Sequence, residues 1–246
     1  MKSEEISRRS FLKRALALSA VSAIPSFWTP AHGRVLPTSP LISANDRVNI
    51  AFIGIGQRGG EIAKELYNTG LCNVVALCDV DMGAPHTQEI INMFPKAARF
   101  QDFRTMFDRM ADKIDAVSVG VPDHSHFPIT IEAMAHGKHV YVEKPMARTF
   151  QEIEIMMRGA KKYGVVTQMG NQGHSEANYF QFKAWKEAGI IKDVTAITAH
   201  MNNPRRWHKW DTNIYKLPSG QQLPKDLDWN TWLGAVPYHE YCNKYD

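Results

Sequence analysis

The sequence predicts an α/β fold in which helices cover both faces of a doubly wound parallel sheet. Three observations predict it: apolar strand-like runs alternate with helical patterns, a glycine-rich turn joins the first strand to the first helix, and titratable residues follow later strands. Parallel strands buried on both faces give continuous apolar runs, as found here. Ligands of such sheets bind beyond the carboxyl ends of the strands.

The first strand and helix carry a dinucleotide-binding motif. The apolar run 48–53 ends in Gly54-x-Gly56-x-x-Gly59, and a helical pattern follows. The glycines permit, in order, a tight turn, close approach of the backbone to a pyrophosphate, and close packing of helix on strand. The helix N-terminus offers unpaired N–H groups to phosphate. The residues predicted to bind the dinucleotide here are Gly54, Ile55, Gly56, Gln57, Arg58 and Gly59.

Asp79 closes the next apolar run, residues 74–78. An acid at this place accepts hydrogen bonds from an adenosine ribose and repels a 2′-phosphate, so NAD is favoured over NADP. Arg58 in the glycine turn would partly offset that repulsion, which leaves NADP open as a cofactor. The alternative to a binding motif is a plain strand–turn–helix connection with Asp79 on the surface.

The alternation of elements then continues along the chain. Apolar spacing predicts helices at 87–94, 103–110, 127–135 and 150–163 and strands at 115–121, 138–142 and 165–169. Thr149 and Glu152 have the spacing of a capping box at the start of the last of these helices. Gly137 and Gly164 stand where two helices are predicted to end.

Two titratable segments follow the later strands, Pro122-Asp123-His124-Ser125-His126 and Glu143-Lys144-Pro145. Strand ends of a parallel sheet share one edge, so both segments are predicted to face the cofactor crevice. The alternatives are helix capping or packing for the two histidines and a solvated loop position for Lys144. Burial and a nicotinamide cation would lower the pKa of Lys144 towards that of a useful base, and Glu143 would raise it.

These motifs, with the run Ala-His-Gly-Lys-His-Val-Tyr-Val-Glu-Lys-Pro-Met-Ala at 135–147, resemble those of the Gfo/Idh/MocA oxidoreductase family over residues 48 to about 205. The resemblance implies a Rossmann domain at 47–170 and, at 171–246, the start of an α+β domain with a mostly antiparallel sheet. It implies that Lys144 is the catalytic residue. The further cofactor contacts that it implies are Pro122, Asp123, His126, Glu143 and Lys144.

The resemblance implies NAD-dependent oxidation or reduction of a sugar, glycoside or cyclitol hydroxyl. Two alternatives stay open: glycoside cleavage without net oxidation, and a nucleotide-binding remnant without turnover. A helix at 176–188 and a strand at 194–200 are predicted in the second part of the chain. Tryptophans beside Arg and Asn suit a pyranose ring, although core packing is the alternative. The candidate substrate residues are Gln172, Asn203, Arg205 and Trp207.

The N-terminal segment 1–33 is predicted to be a twin-arginine signal peptide, because Ser7-Arg8-Arg9-Ser10-Phe11-Leu12-Lys13 precedes a weakly apolar run. Export would place the protein in the periplasm or another extracytoplasmic space. The alternative is a basic amphipathic helix. Residues 34–46 are predicted to be a linker. Residues 1–33 hold five of the 29 basic and two of the 25 acidic residues, so the remainder is nearly neutral and favours neither nucleic acid nor membrane.

Family members continue beyond the point where this sequence stops, and the continuation carries most of the second sheet and a histidine motif. We therefore expect a fragment or the product of a truncated gene, whose own activity stays open. The full-length protein is expected to form a homo-oligomer through the second-domain sheet. We expect no metal centre and no membrane span. Three cysteines form no disulfide framework.

Overall fold

The computed structural model of the protein describes residues 46–199 and 220–242. A six-stranded sheet has the order β3-β2-β1-β4-β5-β6, and every pair of neighbouring strands is parallel. The predicted α/β class with a doubly wound parallel sheet is thus confirmed. The strands are β1 (Val48–Ile53), β2 (Cys72–Cys78), β3 (Ala98–Phe100), β4 (Ala116–Val119), β5 (His139–Val142) and β6 (Thr167–Met169).

The helices lie close to the predicted ranges. They are α1 (Gln57–Asn68), α2 (Pro85–Met93), α3 (Phe103–Met110), α4 (His126–Ala135), α5 (Phe150–Tyr163), α6 (Ala177–Glu187) and the short α7 (Trp229–Leu233). The predicted capping box is present: the Thr149 hydroxyl accepts from the Glu152 N–H at 3.2 Å, and the Glu152 carboxylate accepts from the Thr149 N–H at 3.3 Å. Gly164 ends α5 with a φ of 65°.

Strand β1 shows how the sequence divides the core between two faces. Side chains alternate along a strand, so Ile50 and Phe52 join one buried cluster while Ala51 and Ile53 join another. The first cluster lies beneath α1 and α2, and the second lies beneath α3, α4 and α5. Both faces of β1 are therefore apolar, which accounts for its nearly continuous apolar sequence.

Part of the chain after residue 170 differs from the sequence prediction. Helix α6 agrees with the predicted helix, but residues 194–199 are not a strand. A strand forms only with a hydrogen-bonding partner, and within 46–199 and 220–242 no strand pairs with this run; Ile197 is 86% exposed. The partial second domain and its antiparallel sheet therefore remain predictions.

Several sequence-based predictions concern residues outside the part of the chain that the structure describes. These are the signal peptide 1–33, nearly all of the linker 34–46, and the candidate substrate residues Asn203, Arg205 and Trp207. In the described ranges, no helix has both the length and the apolar character needed to cross a bilayer.

Candidate functional site

The glycine turn lies between β1 and α1 and has the close contacts predicted for it. Gly54 has a φ of 79°, and a Cβ there would lie 2.6 Å from the carbonyl carbon of Gly120. A Cβ on Gly59 would collide with the carbonyl of Gly54 and lie 3.1 Å from the Gly120 oxygen. Gly59 therefore allows α1 to pack against the strand ends. No side chain among the described residues caps α1, so its first N–H groups can receive an anion.

Ile55 and Gln57 have different surroundings within this turn. The Ile55 side chain is fully buried in the core, so only its backbone belongs to the site. Gln57, the first residue of α1, is exposed and has a φ of 37°. Gln57 can therefore approach a ligand, whereas the Ile55 side chain cannot.

Asp79 is held directly beside the turn. Its Oδ2 accepts a hydrogen bond from the Ile55 N–H at 2.9 Å, and its Oδ1 accepts from the Asp81 N–H at 3.0 Å. Burial raises the pKa of the Asp79 carboxyl above its usual range, and these two backbone hydrogen bonds oppose that rise. The carboxylate is thus fixed in place, and its remaining lone pairs can accept ribose hydroxyls.

Glu143 is a buried carboxylate at the end of β5. Its Oε1 accepts from the Arg58 Nε at 3.3 Å, and its Oε2 accepts from the Lys144 N–H at 3.2 Å. Arg58 also contacts Glu61 at 2.9 Å. Glu143 therefore ties the glycine turn on α1 to the backbone of the Lys144 loop. Arg58, the arginine predicted to offset repulsion of a 2′-phosphate, is thus paired with the carboxylates of Glu143 and Glu61.

His126, at the start of α4, is a buried residue that joins two loops. Its Nδ1 lies 2.5 Å from the Pro145 oxygen, and its Nε2 lies 2.8 Å from the Val121 oxygen. Both ring nitrogens are therefore engaged by backbone carbonyls. This arrangement positions the Glu143-Lys144-Pro145 loop, whose Lys144–Pro145 peptide bond is cis, against the loop that follows β4.

Lys144 itself is exposed, which differs from the burial that its proposed role as a base requires. Pro122 and Asp123 are also exposed, at the start of a single 3₁₀ turn, Asp123–Ser125. The neighbouring His124 belongs to a packed surface: its Nε2 lies 2.6 Å from the Trp232 oxygen, as the packing alternative predicted.

An open cavity of about 1100 Å³ lies beside the Arg58–Glu143 pair. Gln172, the one described candidate for substrate binding, lines it. Tyr141 also lines it, and burial together with the Glu143 carboxylate raises the pKa of the Tyr141 hydroxyl. Tyr141 is not among the residues predicted for the site, although it stands two residues before Glu143, at a spacing that places side chains on the same side of an extended chain. The other lining residues are Glu61, Glu65, Gln168, Met169, Asn171, His174, Ser175 and Glu176.

Residues 220–242 pack onto the carboxyl end of the sheet, which the sequence did not reveal. Asp81 and Leu227 form an antiparallel bridge, and Gln101 donates to the Asp226 oxygen at 2.6 Å. Trp229 and Trp232 stack at 4.6 Å. Both rings therefore take part in packing within a small apolar cluster. Across 46–199 and 220–242, no group of three metal-binding side chains converges.

The glycine turn, Asp79 and the loops that carry Pro122 and Lys144 lie at one edge of the sheet. The pairing of Ile53 with Cys78 and Val119, and of Val119 with Val142, places the ends of β1, β2, β4 and β5 side by side. The glycine turn, Asp79, and the loops that carry Pro122 and Lys144 follow these strand ends directly. An anion-receiving helix end beside a fixed carboxylate is what a dinucleotide needs, so the residues present fit that ligand.

Comparison with known proteins identifies relatives about twice as long. A glycosyl hydrolase family 109 protein of Shewanella pealeana is 28% identical over 253 residues, which cover 86% of this chain and 53% of that protein. A glycosyl hydrolase family 109 protein 2 of Shewanella sp. strain ANA-3 is 28% identical over 275 residues, which cover 96% of this chain and 55% of that protein. The chain spans about half the length of the curated relatives it matches.

Solved structures show a similar fold. Myo-inositol 2-dehydrogenase from Lactobacillus plantarum has a TM-score of 0.53 and 26% identity, covering 59% of this chain and 42% of that one. The WlbA dehydrogenase from Thermus thermophilus, solved with NAD and UDP-GlcNAcA, has a TM-score of 0.51 at 22% identity, and the match covers 59% of this chain and 48% of that one. At this identity, the similarity supports the fold alone. A family model described as the oxidoreductase family with an NAD-binding Rossmann fold matches residues 48–171. Because that match covers half of the sequence, this chain belongs to the Gfo/Idh/MocA oxidoreductase family.

Proposed function

We propose that the protein oxidises a hydroxyl of a sugar, glycoside or cyclitol to a carbonyl, or reduces that carbonyl, with NAD as cofactor. The observation that carries this proposal is the attachment of the Lys144 loop to the cofactor turn. Arg58 on α1 pairs with Glu143, and His126 contacts the Pro145 oxygen, so Lys144 is held next to the strand ends. The myo-inositol 2-dehydrogenase similarity supports a polyhydroxylated substrate.

Some residues of this chain would bind the cofactor, and Lys144 would transfer a proton. The N–H groups at the start of α1 would hold the pyrophosphate, and Asp79 would accept hydrogen bonds from the adenosine ribose. Bound NAD would supply the hydride chemistry. Lys144 would take the hydroxyl proton of the substrate as a general base. Glu143, paired with Arg58 at 3.3 Å, would hold the loop that carries Lys144 in place.

Glycoside cleavage without net oxidation is the second candidate, and the names of the curated relatives favour it. Temporary oxidation of a ring hydroxyl would acidify the neighbouring C–H. Loss of that proton would expel the glycosidic oxygen, and addition of water and reduction would complete a hydrolysis. The same Lys144 would handle the hydroxyl proton in this sequence of steps.

One assay distinguishes these functions. The protein is incubated with NAD and a panel of aldoses, cyclitols and nitrophenyl glycosides, while reduced nicotinamide and released nitrophenol are both followed. Reduced nicotinamide without nitrophenol supports the first function, and NAD-dependent nitrophenol release without net reduction supports the second. If NAD binds but neither signal appears, both in this chain and in a form as long as its relatives, the protein binds a nucleotide without turnover.

Asp79→Ala should narrow the preference for NAD over NADP. We expect the parent protein to prefer NAD by about tenfold or more, because like charges close together in a partly solvated groove repel by on the order of 1–4 kcal/mol. The variant should lose affinity for NAD, because the ribose acceptor is gone, and should gain affinity for NADP, because the repulsion is gone. Titration calorimetry with both dinucleotides checks this. Equal affinities in the parent protein would remove the assigned role of Asp79.

We also propose that residues 1–33 direct export by the twin-arginine route. Arg8→Lys combined with Arg9→Lys keeps the charge of the segment but removes the arginine pair. The expected result is accumulation of precursor in the cytoplasm, measured by cell fractionation and immunoblotting against the parent protein. The matched control is Lys13→Arg, which should be exported normally. Unchanged export of the double variant would contradict the proposal.

A further inference from the structure

Segment 226–234 of the chain packs against the end of β2, and the function proposed above gives it no role. Leu227 of this segment forms an antiparallel bridge with Asp81, two residues beyond the ribose acid Asp79. The Leu227 side chain is buried in an apolar cluster against which Val80 packs. The segment therefore holds the two residues that follow Asp79, one by a backbone bridge and the other by apolar contact.

Hydrogen bonds to the Val80 oxygen strengthen this attachment. The Asp228 N–H donates to that oxygen at 2.8 Å. The side-chain amide of Gln101, the residue after β3, donates to the same oxygen at 3.1 Å and to the Asp226 oxygen at 2.6 Å. The end of β2 is thus joined to the segment both directly and through an exposed glutamine.

The other end of the segment contacts the loop that follows β4. The Trp232 oxygen lies 2.6 Å from the His124 Nε2, and the two rings lie 5.0 Å apart. A Cβ added to Gly234 would lie 3.3 Å from the Ser125 hydroxyl oxygen. Strands β2 and β4 are the two neighbours of β1 in the sheet. The segment therefore connects the two loops that flank the glycine turn.

The attachment at Asp81 acts on the ribose acid through one hydrogen bond. The Asp81 N–H donates to the Asp79 Oδ1 at 3.0 Å, and the Ile55 N–H donates to the Oδ2 at 2.9 Å. A carboxylate held by two backbone N–H groups takes its orientation from both donors. Ile55 is fixed by its fully buried side chain. Asp81 is the donor whose position depends on the segment.

We propose that segment 226–234 positions the Asp79 carboxylate for the adenosine ribose, an inference that rests on the dinucleotide binding proposed above. Leu227 holds Asp81 at the end of β2, and the Asp81 N–H holds the carboxylate. Its remaining lone pairs then keep one orientation, in which they accept the ribose hydroxyls. Leu227 is a positioning residue, because it acts on the ligand only through Asp81 and Asp79. Loosening the segment should therefore weaken binding only while the carboxylate is present.

The test measures affinity for ADP-ribose by titration calorimetry in the parent protein, Leu227→Ala, Asp79→Ala and the double variant. ADP-ribose carries the adenosine and the pyrophosphate, and its binding requires no turnover. Leu227→Ala should lower the affinity about threefold to tenfold, a part of the worth of hydrogen bonds to a charged acceptor. In the Asp79→Ala background, the same substitution should lower the affinity less than about twofold, because no carboxylate remains to be positioned.

Ile114→Ala is the matched control for the loss of a buried aliphatic side chain. Ile114 is buried like Leu227, but it stands before β4, at the amino edge of the strands and away from the site. Its replacement should lower Tm and leave the affinity for ADP-ribose unchanged. A loss of affinity equal to that of Leu227→Ala would show that general destabilisation is the cause and would overturn the inference.

Two further results would overturn the inference alone: parental affinity in Leu227→Ala, or an equal loss with and without Asp79. Failure of the parent protein to bind ADP-ribose would overturn the proposed cofactor binding as well. If Leu227→Ala did not fold, Gln101→Ala would replace it in the same four-protein comparison. Gln101 is exposed, and its replacement removes the donor that joins Val80 to Asp226. The same pattern of losses is expected, and the same results would contradict it.

Discussion

Replacement of Lys144 by methionine should lower turnover by about 10²–10⁴-fold, the usual size of a general acid–base contribution. Methionine keeps most of the stem and removes the ammonium. Because the Lys144 side chain is exposed and only its backbone N–H bonds to Glu143, the fold should not depend on it. Affinity for NAD should stay within a modest factor, since the phosphate and ribose contacts are assigned to α1 and Asp79. Turnover is measured on whichever form of the protein, 246 residues or longer, converts the substrate.

Lys144→Arg provides the control for charge. Arginine keeps the positive charge but does not give up its proton, so it should be nearly as inactive as methionine if Lys144 transfers a proton. Recovery of turnover in Lys144→Arg would assign only electrostatic positioning to this residue. Near-parental turnover in Lys144→Met would place the proton transfer on another group.

Most of the fold could be predicted because the sheet has two buried faces. The apolar runs at β1, β2, β4 and β5 are continuous for that reason, and amphipathic helices separate them. Strand β3 was missed because Ala-Arg-Phe is too short to show a period, and it is a strand only because β2 pairs with it. The predicted strand at 194–200 shows the reverse: residues 194–199 are β-forming, but no strand in the described part of the chain pairs with them, and they do not form a strand.

The site could be predicted in position but not in its internal contacts. Residues that follow parallel strands meet at one edge, so Asp79, Pro122 and Lys144 could be placed from the sequence. The pairing of Arg58 with Glu143 spans 85 residues and depends on how α1 lies across the sheet. The packing of residues 220–242 over the end of β2 depends equally on tertiary structure. Periodicity carries no information about such contacts.

Substitutions at two glycines of the turn should have different effects: Gly59→Ala should lower stability, and Gly56→Ala should weaken cofactor binding. In Gly59→Ala, the new methyl group meets the backbone of Gly54 and Gly120, which cannot move without shifting β1 or β4. We expect a loss of about 3 kcal/mol of stability. For a domain of this size, that corresponds to a fall in Tm of about 6–12 °C.

In Gly56→Ala, the three atoms nearest to the new methyl group among the described residues all belong to the His86 ring, the movable end of a side chain. We expect a change in Tm of less than about 3 °C, together with a loss of NAD affinity of about 10–100-fold, because the pyrophosphate can no longer approach the N–H groups of the turn. Differential scanning calorimetry and titration with NAD measure the two effects. Gly173→Ala is the control, since a Cβ there meets only Asn171 at 3.8 Å.

The result for Gly56 has a second possible cause that must be separated from the first. The methyl group would displace His86, and the loss of NAD affinity could come from that displacement alone. His86→Ala removes the ring without touching the turn, so it should lower NAD affinity far less than Gly56→Ala. The double variant Gly56→Ala with His86→Ala has room for the methyl group but should still bind NAD weakly. If the double variant recovered the affinity of His86→Ala, the pyrophosphate would not lie against Gly56, and the binding mode assigned to the glycine turn would be wrong.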